Sequence, residues 1–332
     1  MTLEDERYRG RRVVVTGGAG FIGSHLVDRL LDLGASVTVI DAFLPGLGAN
    51  LANLERSEPH VRLERVDLRD GARLAPAVRG CELVFNLAGQ VSHRDSMTEP
   101  LADLALNVEA PLSLLEVLRT SAPGAAVVHA STRQVYGRTD GGPVDEQHPI
   151  HPADVNGINK RAAEEYLRLY HEVHGVATVV LRLTNTYGPR QLVSHRRQGF
   201  IPAFVRTAME GGCIELYGGG GQRRDANHVA DVVDALVSAG AMAEEQAGEV
   251  FNLGAAPSFT LRAFAELLVS IVGRGTIAEV PWPPEQAAID IGDFAADHQR
   301  ISEALGWKPE RDLAEGLAET VRFYERHGER YW

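Results

Sequence analysis

The stretch TGGAGFIG, residues 16–23, decides the fold of this chain. It follows the apolar run RVVVT and opens a segment with helical periodicity, FIGSHLVDRLLDLG (21–34). Glycines at Gly17, Gly20 and Gly23 allow a tight turn and let a pyrophosphate approach the backbone at a helix N-terminus. A strand, a glycine-rich turn and a helix in this order predict the first unit of a dinucleotide-binding fold.

An acidic residue ends the second apolar run, SVTVID (36–41). The carboxylate of Asp41 can accept hydrogen bonds from an adenosine ribose and would repel a 2′-phosphate, so the predicted cofactor is NAD rather than NADP. Asp67, with Leu68, ends the third run, where an adenine contact and a simple turn role are both open. The predicted cofactor-binding residues in this part of the chain are Gly17, Gly20, Phe21, Ile22, Gly23, Asp41, Asp67, Leu68, Leu87 and Ala88.

Strand and helix patterns alternate through the first half of the chain. Apolar β-type runs occupy 12–16, 36–41, 61–68, 82–88, 125–131 and 177–184, and helical patterns cover 21–34, 100–120 and 157–175. Alternation of this kind predicts an α/β fold, a Rossmann-type doubly wound parallel sheet with helices on both faces.

After about residue 190 the pattern loosens into glycine- and proline-rich loops with shorter helices near 200–210, 229–242, 260–272 and 312–327. We predict an NAD-binding domain of residues 1–190 plus about 228–256, to which FNLG (251–254) returns. A smaller C-terminal α/β substrate domain would comprise residues 191–227 and 257–332.

Composition and net charge limit the classes of partner that the protein is expected to bind. The net charge is −12 with no basic stripe, so nucleic acid is not an expected partner. No apolar run approaches a membrane span, and the charged N-terminus lacks a signal region, which predicts a cytoplasmic protein without a membrane contact. Cys81 and Cys213 lack metal-type spacing and are interpreted as two buried thiols, so no metal site is predicted.

Six ordered motifs extend the pattern along nearly the whole chain: TGGAGFIG (16–23), ASTRQVYG (130–137), LRLTNTYGPRQ (181–191), GQRRD (221–225), FNLG (251–254) and LGWKP (305–309). With these motifs the chain resembles the extended short-chain dehydrogenase/reductases, the nucleotide-sugar epimerase/dehydratase family. The resemblance implies a Rossmann-type NAD domain and a C-terminal domain that holds a nucleoside-diphosphate sugar. It also implies a homodimer built on the helices at 100–120 and 157–175.

The resemblance further implies hydride transfer from a sugar C–OH, usually C4, to NAD⁺. In the family a Tyr takes the hydroxyl proton, a Lys four residues later holds the nicotinamide ribose, and a Thr or Ser binds the reacting oxygen. By position the Thr is Thr132 and the Lys is Lys160, but the Tyr position holds Asn156. Residues i and i+4 share a helix face, so Asn156 and Lys160 are predicted to point into one site. Asn156 could instead, or also, cap the helix.

An amide cannot exchange a proton near neutral pH, which leaves three routes for the proton. His93, in QVSHRDS, could be a substitute base, although a surface-loop histidine is the alternative. Asn156 and Thr132 could order a water relay. The substrate could carry its own carboxylate or base, and Arg133 would then bind the carboxylate. Arg133 could instead form an ion pair with a neighbouring acid.

The residues after Thr132 favour one subclass. Within the resemblance, 4,6-dehydratases place Asp-Glu there and uronate decarboxylases place a Glu at the second position, whereas this chain has Arg133 and Gln134. Neither supplies acid–base catalysis at neutral pH, so a C4 epimerase is predicted. The alternatives are a decarboxylase or dehydratase with relocated acids, and a non-catalytic NAD- or sugar-binding regulator. By resemblance, Arg224 matches the family arginine that binds the diphosphate. Asn185 matches a contact to the diphosphate or sugar, or is a buried polar residue that serves its loop backbone.

Overall fold

Helices and strands alternate through the first half of the chain in the computed structural model, which describes residues 3–194 and 199–332. Residues 195–198 of the predicted substrate domain and residues 1–2 of the predicted NAD domain lie outside the described residues. The helices are α1 (Leu3–Tyr8), α2 (Phe21–Asp32), α3 (Gly71–Val78), α4 (His93–Thr98), α5 (Pro100–Leu104), α6 (Ala110–Ser121), α7 (Val155–His174), α8 (Phe200–Met209), α9 (Val229–Ala241), α10 (Leu261–Val272), α11 (Pro284–Ile289), α12 (Gln299–Leu305) and α13 (Leu313–His327).

The strands are mostly short outside the central sheet. They are β1 (Arg12–Thr16), β2 (Ser36–Ile40), β3 (Arg62–Glu64), β4 (Leu83–Asn86), β5 (Ala126–Thr132), β6 (Pro143–Val144), β7 (Thr178–Leu183), β8 (Asn185–Tyr187), β9 (Cys213–Tyr217), β10 (Arg223–Arg224), β11 (Ala226–His228), β12 (Val250–Leu253), β13 (Phe259–Thr260), β14 (Thr276–Val280) and β15 (Ala295–Ala296). Single 3₁₀ turns cover Leu51–Leu54, Glu58–His60, Arg133–Val135, Gly218–Gly220 and Gly328–Arg330.

Among the described residues, seven parallel strands form the central sheet in the order β12-β7-β5-β4-β1-β2-β3. The register places Val15 beside Val39 of β2 and Phe85 of β4, so residues with apolar side chains meet across the centre. The strand order reverses between β1 and β4, and such a switch point is where doubly wound sheets bind ligands. The predicted fold class is confirmed, and β12 carries the FNLG motif back to the sheet edge beside β7.

Both faces of the sheet are covered. One face packs on α2 and α9, where Leu26 and Leu236 are fully buried. The other face packs on α3, α6 and α7, where Leu74, Leu114 and Leu167 are buried. Burial on both faces explains why the strands read as continuous apolar runs rather than as alternating patterns.

A separate core lies in the C-terminal part of the chain. There α8, α10 and α13 bury Ile201, Phe264, Leu268 and Leu317 against the parallel pair β9–β14. Trp307, beyond α12, packs instead with α9, and its indole nitrogen donates to the carbonyl of Asp231 at 2.8 Å. The domain boundaries given by the sequence stay a prediction.

Three local features differ from expectation. The run 61–68 is a strand only over Arg62–Glu64, and the predicted helix 100–120 is α5 and α6 joined by a π-helical turn, Ala105–Glu109. The interpretation of Cys213 as buried is wrong, because β9 alternates and turns Cys213 outward while Ile214 faces the core. Within the described ranges, no helix has both the length and the apolarity to cross a bilayer.

Candidate active site

The glycine-rich turn after β1 forms a close-fitting cradle. Gly17 has φ +68°, and a Cβ there would lie 2.9 Å from the amide nitrogen of Ala88. A Cβ on Gly23 would collide with the carbonyl oxygen of Gly17. Thr16 accepts hydrogen bonds through Oγ1 from the amides of Leu87 and Ala88, both at 3.2 Å, which ties the end of β1 to the end of β4. Only glycine fits here, and the bare backbone suits a pyrophosphate.

A cleft of about 320 Å³ opens from this cradle across the carboxyl ends of the central strands. Sixteen of the predicted site residues line it: Gly17, Gly20, Phe21, Ile22, Gly23, Asp41, Asp67, Leu68, Leu87, Ala88, His93, Thr132, Arg133, Asn156, Lys160 and Asn185. The structure therefore brings together residues at the carboxyl ends of five neighbouring strands, β3, β2, β1, β4 and β5, and residues of α2, α4, α7 and β8. Arg224 is the predicted site residue that lies outside this lining.

The Asp41 carboxylate lies at the rim of the glycine cradle. Its oxygens accept hydrogen bonds from the backbone amides of Ala19 at 3.2 Å and Phe43 at 2.9 Å. Burial raises the pKa of Asp41, and these two amide hydrogen bonds oppose the rise. An acid at the end of β2 beside a glycine cradle fits the adenosine ribose of NAD.

Asp67 is held by its own loop. Both its oxygens bind the Arg69 guanidinium, at 2.9 and 2.6 Å, and the hydrogen bond from Arg69 lowers the pKa of Asp67. The amide of Arg69 also donates to Asp67 Oδ1 at 3.0 Å, which is the turn role considered for this residue. An adenine contact stays a prediction.

Lys160 is buried beneath the cleft floor. Its ammonium donates to the carbonyl of Ala130 at 3.2 Å, and a Cβ on Gly89 would lie 3.1 Å from Nζ. Burial lowers the pKa of Lys160 to about 8, against the opposing charges of Asp103 and Glu164. The close approach explains why a glycine follows Ala88.

Asn156 also lines the cleft, but its amide is engaged. Nδ2 donates to the carbonyl of Gln90 at 2.9 Å and to Asp103 Oδ2 at 3.0 Å, and the side chain is 1% exposed. The capping role considered for Asn156 is wrong. Helix α7 begins at Val155, so its N-cap is Asp154, which accepts from the amide of Gly157 at 2.7 Å.

Thr132 ends β5 and begins the 3₁₀ turn that follows. Its Oγ1 accepts from the amide of Gln134 at 3.3 Å, which leaves the hydroxyl hydrogen free to donate into the cleft. Asn185, at the start of β8, accepts from Arg133 Nη2 at 3.3 Å and donates to the carbonyl of Asp225 at 2.7 Å. The Asn185 amide thus serves its own loops as well as lining the cleft.

The two arginines predicted to bind the substrate, Arg133 and Arg224, differ in their hydrogen-bond partners. Arg133 is 9% exposed, lies over the ring of Phe294, and has a buried Nη1 without a hydrogen-bond partner. Burial lowers the pKa of Arg133 to about 10, and the nearby charge of Arg224 adds to this. Arg224 binds Asp290 at 3.1 Å and the carbonyl of Gly292. Arg224 is therefore held by the C-terminal segment, whereas Arg133 lines the cleft and has one buried guanidinium nitrogen without a partner.

His93 is the first residue of α4, a helix that the sequence did not predict. Its Nδ1 lies 3.2 Å from Asp154 Oδ2, and its side chain is 31% exposed. Asp154, Asp103 and the backbone of Gln90 were not among the residues predicted from the sequence. A signal for Asp154 was present, since Asp directly before a helix is a preferred N-cap.

Comparison with known proteins gives the site its context. The model of the NAD dependent epimerase/dehydratase family matches residues 13–254. A UDP-glucose 4-epimerase of Mycolicibacterium smegmatis is 35% identical over 318 residues, which cover 94% of this chain and 98% of that protein. A UDP-glucuronic acid decarboxylase of Danio rerio is 31% identical over 322 residues, covering 95% of this chain and 73% of that protein.

The fold is shared as well. A dTDP-glucose 4,6-dehydratase of Streptomyces venezuelae, solved with NAD bound, superimposes with a TM-score of 0.87 at 30% identity and covers 96% of this chain and 98% of its own. The relatives thus act on nucleotide sugars by different reactions. Family model, relatives and fold agree, and the chain belongs to the NAD-dependent epimerase/dehydratase family.

Proposed function

We propose that this protein interconverts the C4 epimers of a nucleoside-diphosphate sugar. The observation that carries the proposal is the pair that follows Thr132. Arg133 and Gln134 stand where water elimination or decarboxylation would need acids, while Thr132 and Lys160 line the same cleft. Epimerisation needs reversible oxidation at C4 and reorientation of the keto-sugar, with no further acid–base pair.

NAD, which the glycine cradle and Asp41 would hold, would supply the hydride acceptor and donor for oxidation and reduction at C4. The residues of the chain position and polarise the substrate. The hydroxyl of Thr132 donates to the reacting oxygen, and the buried charge of Lys160 stabilises negative charge that develops on it. Lys160 also holds the nicotinamide ribose in this proposal.

The relatives support a uridine nucleotide as the first substrate to test, because the similar protein of M. smegmatis is a UDP-glucose 4-epimerase. Arg133, with its free Nη1, supplies the charge for a phosphate or carboxylate oxygen. Arg224 as the diphosphate contact, the two-domain division, the homodimer and the cytoplasmic location stay predictions.

A second candidate is decarboxylation. Two observations favour it: the similarity to UDP-glucuronic acid decarboxylases, and a buried arginine beside Thr132 that suits a sugar carboxylate. Because Gln134 cannot act as an acid or base, we rank decarboxylation below epimerisation.

The test uses purified protein whose NAD content has been measured. UDP-glucose, UDP-galactose, UDP-glucuronate and dTDP-glucose are incubated separately and analysed by chromatography and mass spectrometry. We expect an isobaric C4 epimer from one of them. Loss of carbon dioxide or water would select the alternative reactions, and an unchanged panel, with NAD present, would overturn the proposal.

A further inference from the structure

Asn156 leaves the reaction without an obvious proton acceptor. Its Nδ2 already donates to Gln90 and Asp103, and a carboxamide does not titrate near neutral pH. A C4 epimerase, if this proposed function holds, must take the hydroxyl proton with some other group that reaches the cleft. A well-placed general base contributes about 10²–10⁴ in rate, so the group should be present in the structure.

Elimination among the described cleft residues leaves one candidate. The titratable side chains that line it are Asp41, Asp67, His93, Arg133 and Lys160. Asp41 follows β2, and Asp67 follows β3. In the sheet, β1 and β4 lie between these two strands and β5, the strand that ends in Thr132. The arginine stays charged, and the buried lysine donates to a carbonyl. His93 follows β4, the immediate neighbour of β5, and remains.

A buried carboxylate orients the His93 ring. Nδ1 lies 3.2 Å from Asp154 Oδ2, which is ion-pair distance, and this buried nitrogen forms no hydrogen bond of regular geometry. The Asp154 side chain is 1% exposed and is fixed by the amide of Gly157 at 2.7 Å and by Gln134 Nε2 at 3.1 Å. A carboxylate at Nδ1 places the ring proton on Nδ1, which leaves the lone pair on Nε2 free to accept another proton.

Asp154 stays ionised in this setting. Burial alone would raise its pKa, but the adjacent His93 ring and the hydrogen bonds from Gly157 and Gln134 hold the pKa below its ordinary value. An ionised carboxylate stabilises the imidazolium that forms when Nε2 takes a proton, as in other His–Asp pairs.

We propose that His93 is the general base of this site and that Asp154 positions it. In the first half-reaction the proton leaves the C4 hydroxyl oxygen for Nε2 of His93. In the second half-reaction it returns from Nε2 to the same oxygen, so the cycle consumes no proton. Asp154 keeps its negative charge throughout. Gln134, which stands where related reactions would need an acid, serves here to hold Asp154.

The first test replaces the base. His93→Gln should lower kcat by about 10²–10⁴-fold, while bound NAD and the dissociation constant for the nucleotide sugar stay at wild-type values. His93→Ala should regain activity when imidazole is added, which a merely structural histidine would not show. His60→Gln, at an exposed histidine outside the cleft, is the matched control and should leave kcat unchanged.

The second test replaces the positioning residue. Asp154→Asn keeps an N-cap oxygen for α7, so the melting temperature should hold, but removes the charge at Nδ1. We expect kcat to fall by at least about tenfold with KM unchanged. Asp312→Asn, at the N-cap of α13 and outside the cleft lining, is the control.

The outcomes separate two failures. An inactive wild type across all sugar nucleotides overturns the epimerase proposal and this inference with it. An active wild type whose His93→Gln variant keeps its kcat overturns the inference alone. So does a His93→Ala variant that folds, binds both ligands and ignores imidazole.

Discussion

At the scale of single residues, the asparagine in the tyrosine position belongs to a buried polar network. Asp103 is 1% exposed and accepts hydrogen bonds from the amides of Asn107 at 3.0 Å, Asn156 at 3.0 Å and Asn159 at 2.9 Å. Three amide donors satisfy a carboxylate that would otherwise be costly to bury. The Asn156 amide donates to both Gln90 and Asp103, and a tyrosine hydroxyl has only one hydrogen to donate.

Replacing Asn156 by Tyr should consequently fail to restore a conventional site. The variant Asn156→Tyr removes the donor to Asp103 and Gln90 and forces a ring into a buried position. We expect a loss of about 1–3 kcal/mol in the free energy of unfolding and no gain in kcat. Denaturant unfolding and steady-state kinetics measure the two quantities. A large rise in kcat would instead show a degraded tyrosine site.

We expect the buried Lys160 to lower the thermal stability of the protein and to strengthen NAD binding. Burial lowers the pKa of Lys160 from 10.5 to about 8. Below about pH 8 the ammonium is charged in both the folded and the unfolded protein, and the charge is less stable in the folded one. Lys160→Met should therefore raise the melting temperature of NAD-stripped protein at pH 7 and weaken NAD binding. The gain should decrease between pH 8 and 10.5, where the folded protein has released a proton that the unfolded chain still binds, so it should be smaller at pH 9 than at pH 7.

The measurement is a thermal melt at both pH values, together with a titration of NAD. Lys308→Met changes an exposed lysine, the second lysine of the sequence, and should alter neither quantity. A lower melting temperature for Lys160→Met at pH 7 would mean that the charges of Asp103 and Glu164 outweigh the burial of the ammonium.

At the scale of elements, the start of α7 is set by contact as well as by its cap. A Cβ on Gly157 would lie 2.7 Å from the carbonyl oxygen of Gln134, so the helix can approach the turn after β5 only with glycine at this position. That approach brings Asp154, Asn156 and Lys160 beside Thr132.

Gly157→Ala should destabilise the protein even though alanine favours helices. Helix propensity would add about 1 kcal/mol, but overpacking against the Gln134 carbonyl costs about 1–3 kcal/mol and shifts the helix start. Gly71→Ala, in the first turn of α3, meets its nearest atom at 3.5 Å and should be neutral or stabilising. Chemical denaturation compares the pair, and equal stability of the two variants would contradict the argument.

Sequence patterns predicted most helices and strands, but they did not predict those that depend on tertiary contacts. The strands and most helices of the first half of the chain follow from local periodicity and from the glycine-rich turn. The π-helical turn exists because Asn107 bonds Gln90 and Asp103, and α4 is only six residues long, so neither has a periodic signal. The glycines, Asp41 and Lys160 could be predicted from the sequence, whereas the pairing of His93 with Asp154 depends on the packing of α4 against the start of α7.

At the scale of the whole molecule, the surface beside the active site is unusually apolar. The exposed large apolar side chains on α4, α5 and α7 are Met97, Leu101, Leu104, Ile158, Leu169 and Val173. On α7 the spacing of Ile158, Leu169 and Val173 places them on one helical face. Since α5 packs against α7, these side chains form exposed apolar surface on the helices for which the homodimer was predicted.

The homodimer predicted from the sequence is best tested at Leu101, which is 80% exposed on α5. A charge at the centre of an apolar interface is left unpaired and desolvated, so Leu101→Glu should convert the dimer to a 36.0 kDa monomer. Leu51→Glu, at an exposed leucine away from α5 and α7, should remain dimeric. Sedimentation velocity measures the mass of each variant.

Because α4 and α5 lie next to one another in the chain and both contact α7, the monomer should also lose activity through displacement of His93. A wild type that sediments as a monomer at micromolar concentration would contradict the prediction.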